Sequence, residues 1–188
     1  MAVCITMYNE DVSELKQTLS GVIQNYNELC NDSSLNFTKD DMIVVLVCDG
    51  FDKLAPEFKE FAYEKQFFDQ EILRHNDFLK KDRDGNWSMK EMGELILEGR
   101  EEDLPPNILH CFQVRTWDFD LEDEVPRDRR INFVLAIKQR NDGKINSHKW
   151  FYQGICSYLN PDVCMMLDIG TRPGKHSVYK LYKYMRKH

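Results

Sequence analysis

Asp168 closes the apolar run Val163-Cys164-Met165-Met166-Leu167 and opens the punctuated segment Ile169-Gly170-Thr171-Arg172-Pro173-Gly174. A carboxylate delivered by a buried strand to its carboxyl end lies where open α/β sheets bind ligands. Upstream, Gln139-Arg140-Asn141-Asp142-Gly143-Lys144 sets basic residues directly before a helix-like stretch, an arrangement suited to a phosphorylated ligand. The chemistry these types and spacings suggest is a metal-assisted site for a nucleotide diphosphate. A second carboxylate, Asp49, follows another uninterrupted apolar run, Met42 to Val47, in Cys48-Asp49-Gly50.

The elements that must position these groups follow an α/β alternation. Val3 to Met7 predicts a short buried strand. Asn9, Glu10 and Asp11 supply a cap and an acidic first turn for a helix carrying Val12, Leu15, Leu19, Val22, Ile23 and Tyr26 at helical spacing. Met42 to Val47 predicts the second strand, completing a βαβ unit of the parallel-sheet type. Residues 56 to about 100 are charged and helical in pattern, with apolar faces at Phe58, Phe61 and Ala62, at Phe67, Phe68, Ile72 and Leu79, and at Met89 to Leu97. Leu109 to Trp117 and Asn132 to Lys138 predict strands. Asn146 or Ser147 is expected to cap a helix bearing Trp150, Phe151, Ile155, Tyr158 and Leu159, which Asn160-Pro161-Asp162 ends. Val163 to Leu167 predicts the strand to Asp168, and Ser177 to Arg186 a final helix. The predicted class is α/β: a mostly parallel sheet flanked by helices, with a helical insert. The expected organisation is residues 1–51 as a first nucleotide-binding unit, 52–109 as a variable helical insert, and 110–188 as the donor- and metal-binding part.

With 188 residues, 42% hydrophobic and 12% aromatic, the chain is long and apolar enough for one real core. A net charge of −7 argues against a nucleic-acid partner, which needs a basic field. Six cysteines contain no Cys-x-x-Cys pair; Cys4, Cys48, Cys111 and Cys164 fall in strand-like runs, the placement of small buried hydrophobes in a reducing compartment. Glycosylation sequons occur at Asn31, Asn36 and Asn86, but the expected cytosolic placement would keep them out of the lumen. No apolar run approaches the roughly 20 residues of a membrane span.

Four stretches in order carry a family resemblance. Val3-Cys4-Ile5-Thr6-Met7-Tyr8-Asn9-Glu10 resembles the opening strand motif of fungal-type chitin synthases, and Val47-Cys48-Asp49-Gly50 their second motif. Lys138-Gln139-Arg140-Asn141 through Lys144-Ile145-Asn146-Ser147-His148-Lys149-Trp150-Phe151 is similar to the diagnostic third. Leu167-Asp168-Ile169-Gly170-Thr171-Arg172-Pro173-Gly174 resembles the Asp-x-Gly-Thr form of a metal-binding Asp-x-Asp signature. The resemblance implies an inverting family-2 glycosyltransferase of the GT-A, Rossmann-like fold. Such an enzyme transfers N-acetylglucosamine from UDP-N-acetylglucosamine to a β-1,4-linked chitin chain.

By that resemblance Asp168 is expected to hold Mg²⁺ or Mn²⁺, ions that take one or two protein carboxylates and complete their shell with phosphate oxygens and water. Gly170 stands where many relatives have a second Asp, leaving a single protein carboxylate. Asp49 is expected at the ribose or uracil, Tyr8 and Glu10 in the uridine pocket beside Thr6, and Lys144 at the donor phosphates. Lys138 and Arg140 read as secondary candidates for the same contact or as simply exposed, and His148 and Trp150 as residues that pack the helix on the sheet.

Within the insert, Lys80 to Glu91 resembles an EF-hand loop, with Asp82, Asp84, Asn86 and Glu91 as calcium candidates and Gly85 at the sharp turn. Lys80 replaces the usual first acid, so a degenerate loop joining two helices is the expected reading. The motifs that would complete a synthase, an acceptor-activating Glu-Asp pair, a Gln-x-x-Arg-Trp-like sequence and membrane helices, do not occur in residues 1–188. The chain is therefore expected to be the donor-binding half, with the general base beyond His188. A full synthase would act at the cytosolic face of the plasma membrane, whereas these residues alone would be cytoplasmic. A non-catalytic nucleotide- or calcium-binding regulatory module derived from the same fold is the alternative. A nicotinamide-binding enzyme is disfavoured because Tyr8-Asn9-Glu10 occupies the turn where Gly-x-Gly-x-x-Gly would begin.

Overall fold

The computed structural model describes residues 1–68, 80–81, 87–88, 107–115, 121 and 131–187. β1 (Ala2–Met7) is buried along almost its whole length, as expected of a strand covered on both faces. Asp11 then caps α1 (Val12–Asn31): its carboxylate accepts from the Glu14 N–H while Glu14 accepts from the Asp11 N–H, a reciprocal capping box. β2 (Ile43–Cys48) follows, and α2 (Pro56–Glu64) starts with proline in its first turn, where a missing N–H costs nothing. The two-residue strands β3 (Lys80–Lys81) and β4 (Trp87–Ser88) pair antiparallel. β5 (Leu109–Arg115) and β6 (Asn132–Lys138) lead to α3 (Lys144–Lys149), a π-helical turn (Trp150–Ile155) and α4 (Cys156–Leu159). β7 (Cys164–Asp168) and α5 (Ser177–Met185) complete the order.

The main sheet runs β5-β6-β2-β1-β7. β6, β2, β1 and β7 are parallel, and β5 joins the β6 edge antiparallel. This is the mostly parallel, helix-flanked sheet of a GT-A-type α/β domain. One face packs Val3, Ile5, Val44, Leu46, Phe133 and Leu135 with Leu15, Leu19 and Val22 of α1 and Phe58 of α2. The opposite face is thinner: Ala2, Cys4, Val45, Val47 and Ala136 close around Phe151, which is fully buried. Truncating such a phenylalanine costs about 3–5 kcal/mol.

Several sequence expectations change. The helix expected to be capped by Asn146 or Ser147 begins earlier, at Lys144, because Gly143 takes φ 78° and ends the preceding turn. The Asn141 carboxamide oxygen accepts the Gly143 N–H at 2.8 Å and fixes that turn. Cys4 and Cys48 are buried as expected, but Cys111 is exposed on the edge strand β5. Lys138 is not exposed; it is fully buried. Of the insert, α2 matches its predicted position. The helix expected from Phe67, Phe68, Ile72 and Leu79 does not start at Phe67: α2 ends at Glu64, Gln66 takes φ 55°, and Phe67 and Phe68 are buried outside any helix. The rest of that stretch, the face at 89–97, and the calcium candidates Asp82, Asp84, Asn86 and Glu91 lie outside the described residues.

Candidate functional site

Parallel strands deliver their carboxyl ends to one edge, and the candidate residues gather there. Thr6, Met7, Tyr8, Glu10, Asp49, Lys144, Ser147 and Asp168 line one cleft of 170 Å³. All six residues read as substrate- or metal-binding from the sequence are in it. A larger hollow of 740 Å³, lined by Tyr63, Phe67, Phe68 and Phe112, lies away from these groups; among the residues lining it there is no carboxylate or cationic side chain.

Thr6 and Asp168 are register partners on the neighbouring strands β1 and β7. The Thr6 hydroxyl donates to Asp168 Oδ1 at 3.2 Å, and Lys144 Nζ reaches the same oxygen at 2.5 Å. The Lys144 ammonium holds the Asp168 carboxyl below the ordinary carboxylate range against an opposing burial effect, and the Thr6 hydroxyl adds a lesser pull downward. His148 adds a weaker pull in the same direction. Among the described residues no donor reaches Asp168 Oδ2.

Asp49 leaves β2 by donating its N–H to the Met7 carbonyl at 2.8 Å, which ties the ends of β1 and β2 together. Its Oδ1 accepts from Lys138 Nζ at 2.6 Å and from the Asp142 N–H at 3.2 Å. Lys138 also contacts Ser147 Oγ at 3.3 Å and the Gly143 carbonyl at 3.4 Å. One buried ammonium thus joins β6, the end of β2 and the start of α3. Gly50 sits under the same turn at φ 97°, where a Cβ would lie 2.7 Å from the Asn141 nitrogen. Glu10 folds back so that its carboxylate accepts the Tyr8 N–H at 2.6 Å, leaving the Tyr8 ring 39% exposed over the cleft.

From the sequence Lys138 is only a secondary candidate for a donor contact and Ser147 only a possible helix cap; neither reads as a buried support of Asp49. Two signals existed: Lys138 ends an apolar strand two residues from Ala136, on the same face, and Ser147 lies one helical turn after Lys144. Arg140 is engaged with Asp142 at 3.5 Å outside the cleft.

The donor set suits a cation that brings its own ligands. Among the described residues there is no cluster of three or more His, Cys, Asp or Glu able to hold a metal by themselves. Asp168 instead offers one open carboxylate oxygen beside a lysine, which fits Mg²⁺ or Mn²⁺ accompanied by phosphate oxygens.

A parallel sheet with its polar cleft at the strand ends, assembled from a first βαβ unit and a late strand ending in Asp, defines a GT-A-type glycosyltransferase domain. The model of the chitin synthase-like glycosyltransferase domain matches residues 1–83 and 110–188, and the chain belongs to that family. It is 27% identical over 96% of its length to chitin synthase 3 of Pyricularia oryzae. It is 30% identical over 96% to chitin synthase 1 of Fusarium oxysporum f. sp. lycopersici. To chitin synthase 2 of Mycosarcoma maydis it is 28% identical over 100% of its length. The chain spans 18% of the first two relatives and 16% of the third.

Proposed function

We propose that this chain holds the donor site of a chitin synthase: it binds UDP-N-acetylglucosamine with Mg²⁺ or Mn²⁺ for transfer to a β-1,4-linked chitin chain. The observation that carries the reading is convergence. Thr6, Tyr8, Glu10, Asp49, Lys144 and Asp168 come from four separated parts of the chain and line one cleft. In this reading Tyr8 packs its ring on the base, and Glu10 holds the Tyr8 backbone that positions it. Asp49, fixed through Oδ1, presents its remaining oxygen to the uridine. Lys144 neutralises the diphosphate, and Asp168 holds the cation. The cation would supply charge neutralisation at the departing UDP.

Activation of the acceptor hydroxyl falls, in this proposal, to the part of the synthase that these residues do not span, together with its membrane helices at the plasma membrane. No helix among the described residues is long and apolar enough to cross a membrane.

Calorimetry with UDP-N-acetylglucosamine and MnCl₂ tests the reading. Saturable binding that needs the metal and disappears in Asp168→Ala is expected. Binding that is unchanged without metal or in Asp168→Ala would sink it.

A further inference from the structure

Lys144 already neutralises, through Oδ1, the carboxylate that the proposed cation would use. Its ammonium lies 2.5 Å from Asp168 Oδ1, and the Thr6 hydroxyl meets the same oxygen at 3.2 Å. Both side chains of the ion pair are more than half exposed, at 53% and 62%, so the contact is a surface pair of small net worth that can exchange readily. Lys144 is also the first residue of α3, following Gly143 at φ 78°, so its stem pivots from a fixed backbone point at the cleft mouth. Ser147, on the same helix and fully buried, is anchored through Lys138. The helix is therefore held while the Lys144 side chain is free to swing.

An ammonium on Oδ1 and a divalent cation on the neighbouring Oδ2 of one carboxylate stand a few ångströms apart and repel each other. A diphosphate removes the conflict, because it offers oxygens to both. We infer that Lys144 is an exchangeable internal counter-ion for Asp168. It excludes the free cation from the empty site and transfers to the diphosphate when cation and nucleotide enter together. This inference rests on the reading of Asp168 as the cation-holding residue and adds an order of binding to it. The cation alone binds weakly, the nucleotide diphosphate alone binds weakly, and each raises the affinity of the other by the same factor, as linkage requires.

The test uses the chain as it is, with MnCl₂ alone and with MnCl₂ plus UDP. The readout is the paramagnetic resonance signal of free Mn²⁺, so no catalysis is needed. Because both side chains are exposed, the variants are expected to keep the wild-type melting temperature. Lys144→Met should bind Mn²⁺ alone about 1.5- to fivefold more tightly than wild type, the range that loss of an exposed competing pair allows. In the presence of UDP the same variant should bind Mn²⁺ at least about tenfold more weakly, from loss of a cation at the diphosphate. Lys144→Arg, which keeps the charge, should behave as wild type in both titrations. A Lys144→Met variant with no gain for Mn²⁺ alone, or with equal losses in both titrations, overturns the inference. Asp168→Asn separates the two claims. If it binds Mn²⁺ as wild type does, the assignment of Asp168 fails and this inference falls with it. If it loses Mn²⁺ while Lys144→Met gains nothing, only the counter-ion role fails.

Discussion

Lys138 Nζ lies 2.6 Å from Asp49 Oδ1, with the lysine side chain wholly withdrawn from water and the aspartate side chain 10% exposed. The pair joins residues 89 positions apart and holds the Asp49 carboxylate through Oδ1. Removing one partner of such a pair strands the other charge in a poorly solvated place, at a cost of about 3–5 kcal/mol. Lys138→Met should therefore be severely destabilising in urea denaturation. Lys138→Met combined with Asp49→Asn should recover a substantial part of that loss, since no charge is then stranded. Additive losses would show that the two residues act independently.

The Tyr8 ring stands 39% exposed at the cleft while its backbone N–H is held by Glu10. If the ring packs on a base, Tyr8→Ala should weaken UDP binding by about 1–3 kcal/mol, the usual worth of one stacked base, and Tyr8→Phe by far less. Calorimetry with UDP distinguishes the two. Equal affinity in wild type and Tyr8→Ala would remove Tyr8 from the site.

Gly21 in α1 lies against the loop that follows Asp168. A Cβ there would stand 2.7 Å from Pro173 Cδ and 2.8 Å from the Pro173 carbonyl. The crowding involves backbone and a proline ring, which yield poorly. Gly21→Ala should destabilise by about 1–3 kcal/mol, the usual cost of overpacking. It should also shift the segment carrying Arg172 and Pro173 and so weaken Mn²⁺ binding at Asp168. A thermal melt and a metal titration check both parts; an unchanged melt would show that the loop relaxes freely.

Asp32 after α1 accepts from Lys183 Nζ at 2.7 Å and from the Tyr179 hydroxyl at 2.8 Å, tying α5 to α1. Lys183 and then Ser34 and Tyr179 hold the Asp32 carboxyl far below its ordinary range, and Asp32 in turn raises the lysine. A depressed carboxyl contributes stability above its unfolded value, near pH 3.9, and loses it as pH falls through the folded value. A raised lysine contributes below its unfolded value, near 10.4, and loses it above. Lys183→Met should lower the melting temperature throughout this window, and the difference from wild type should shrink only below about pH 4 or above about pH 10.4. A difference that vanishes already between pH 6 and 8 would refute the linkage.

What the sequence made legible and what it hid divide along a physical line. β1, β2 and β6 are unbroken Val, Ile and Leu runs, and strands buried on both faces must be spelled that way. Asp49 and Asp168 were readable because each interrupts such a run at its carboxyl end. The burial of Lys138 was not readable because a lysine closing a strand normally reaches water; only the fold brings Asp49 beside it. The start of α3 was misplaced because Gly143 and Lys144 carry no capping side chain, and the turn is set by a positive φ and by Asn141. The π-helical turn at Trp150–Ile155 has no local spelling either; it sits where Phe151 seats in the thin face of the core.

The parallel pairing of β1 with both β2 and β7 sets a timetable for folding. β1 leaves the ribosome ahead of both its neighbours, meets one of them about forty residues later, and has no partner on its other side until residues near Asp168 have been made. Until then an apolar strand edge stands open, and loop closure over such a separation is slow. The cleft is closed by the same late event, because Thr6 meets Asp168 only across that last pairing. A nascent chain arrested before β7 would therefore hold a nearly complete first βαβ unit with a sticky edge and no capacity to retain a cation.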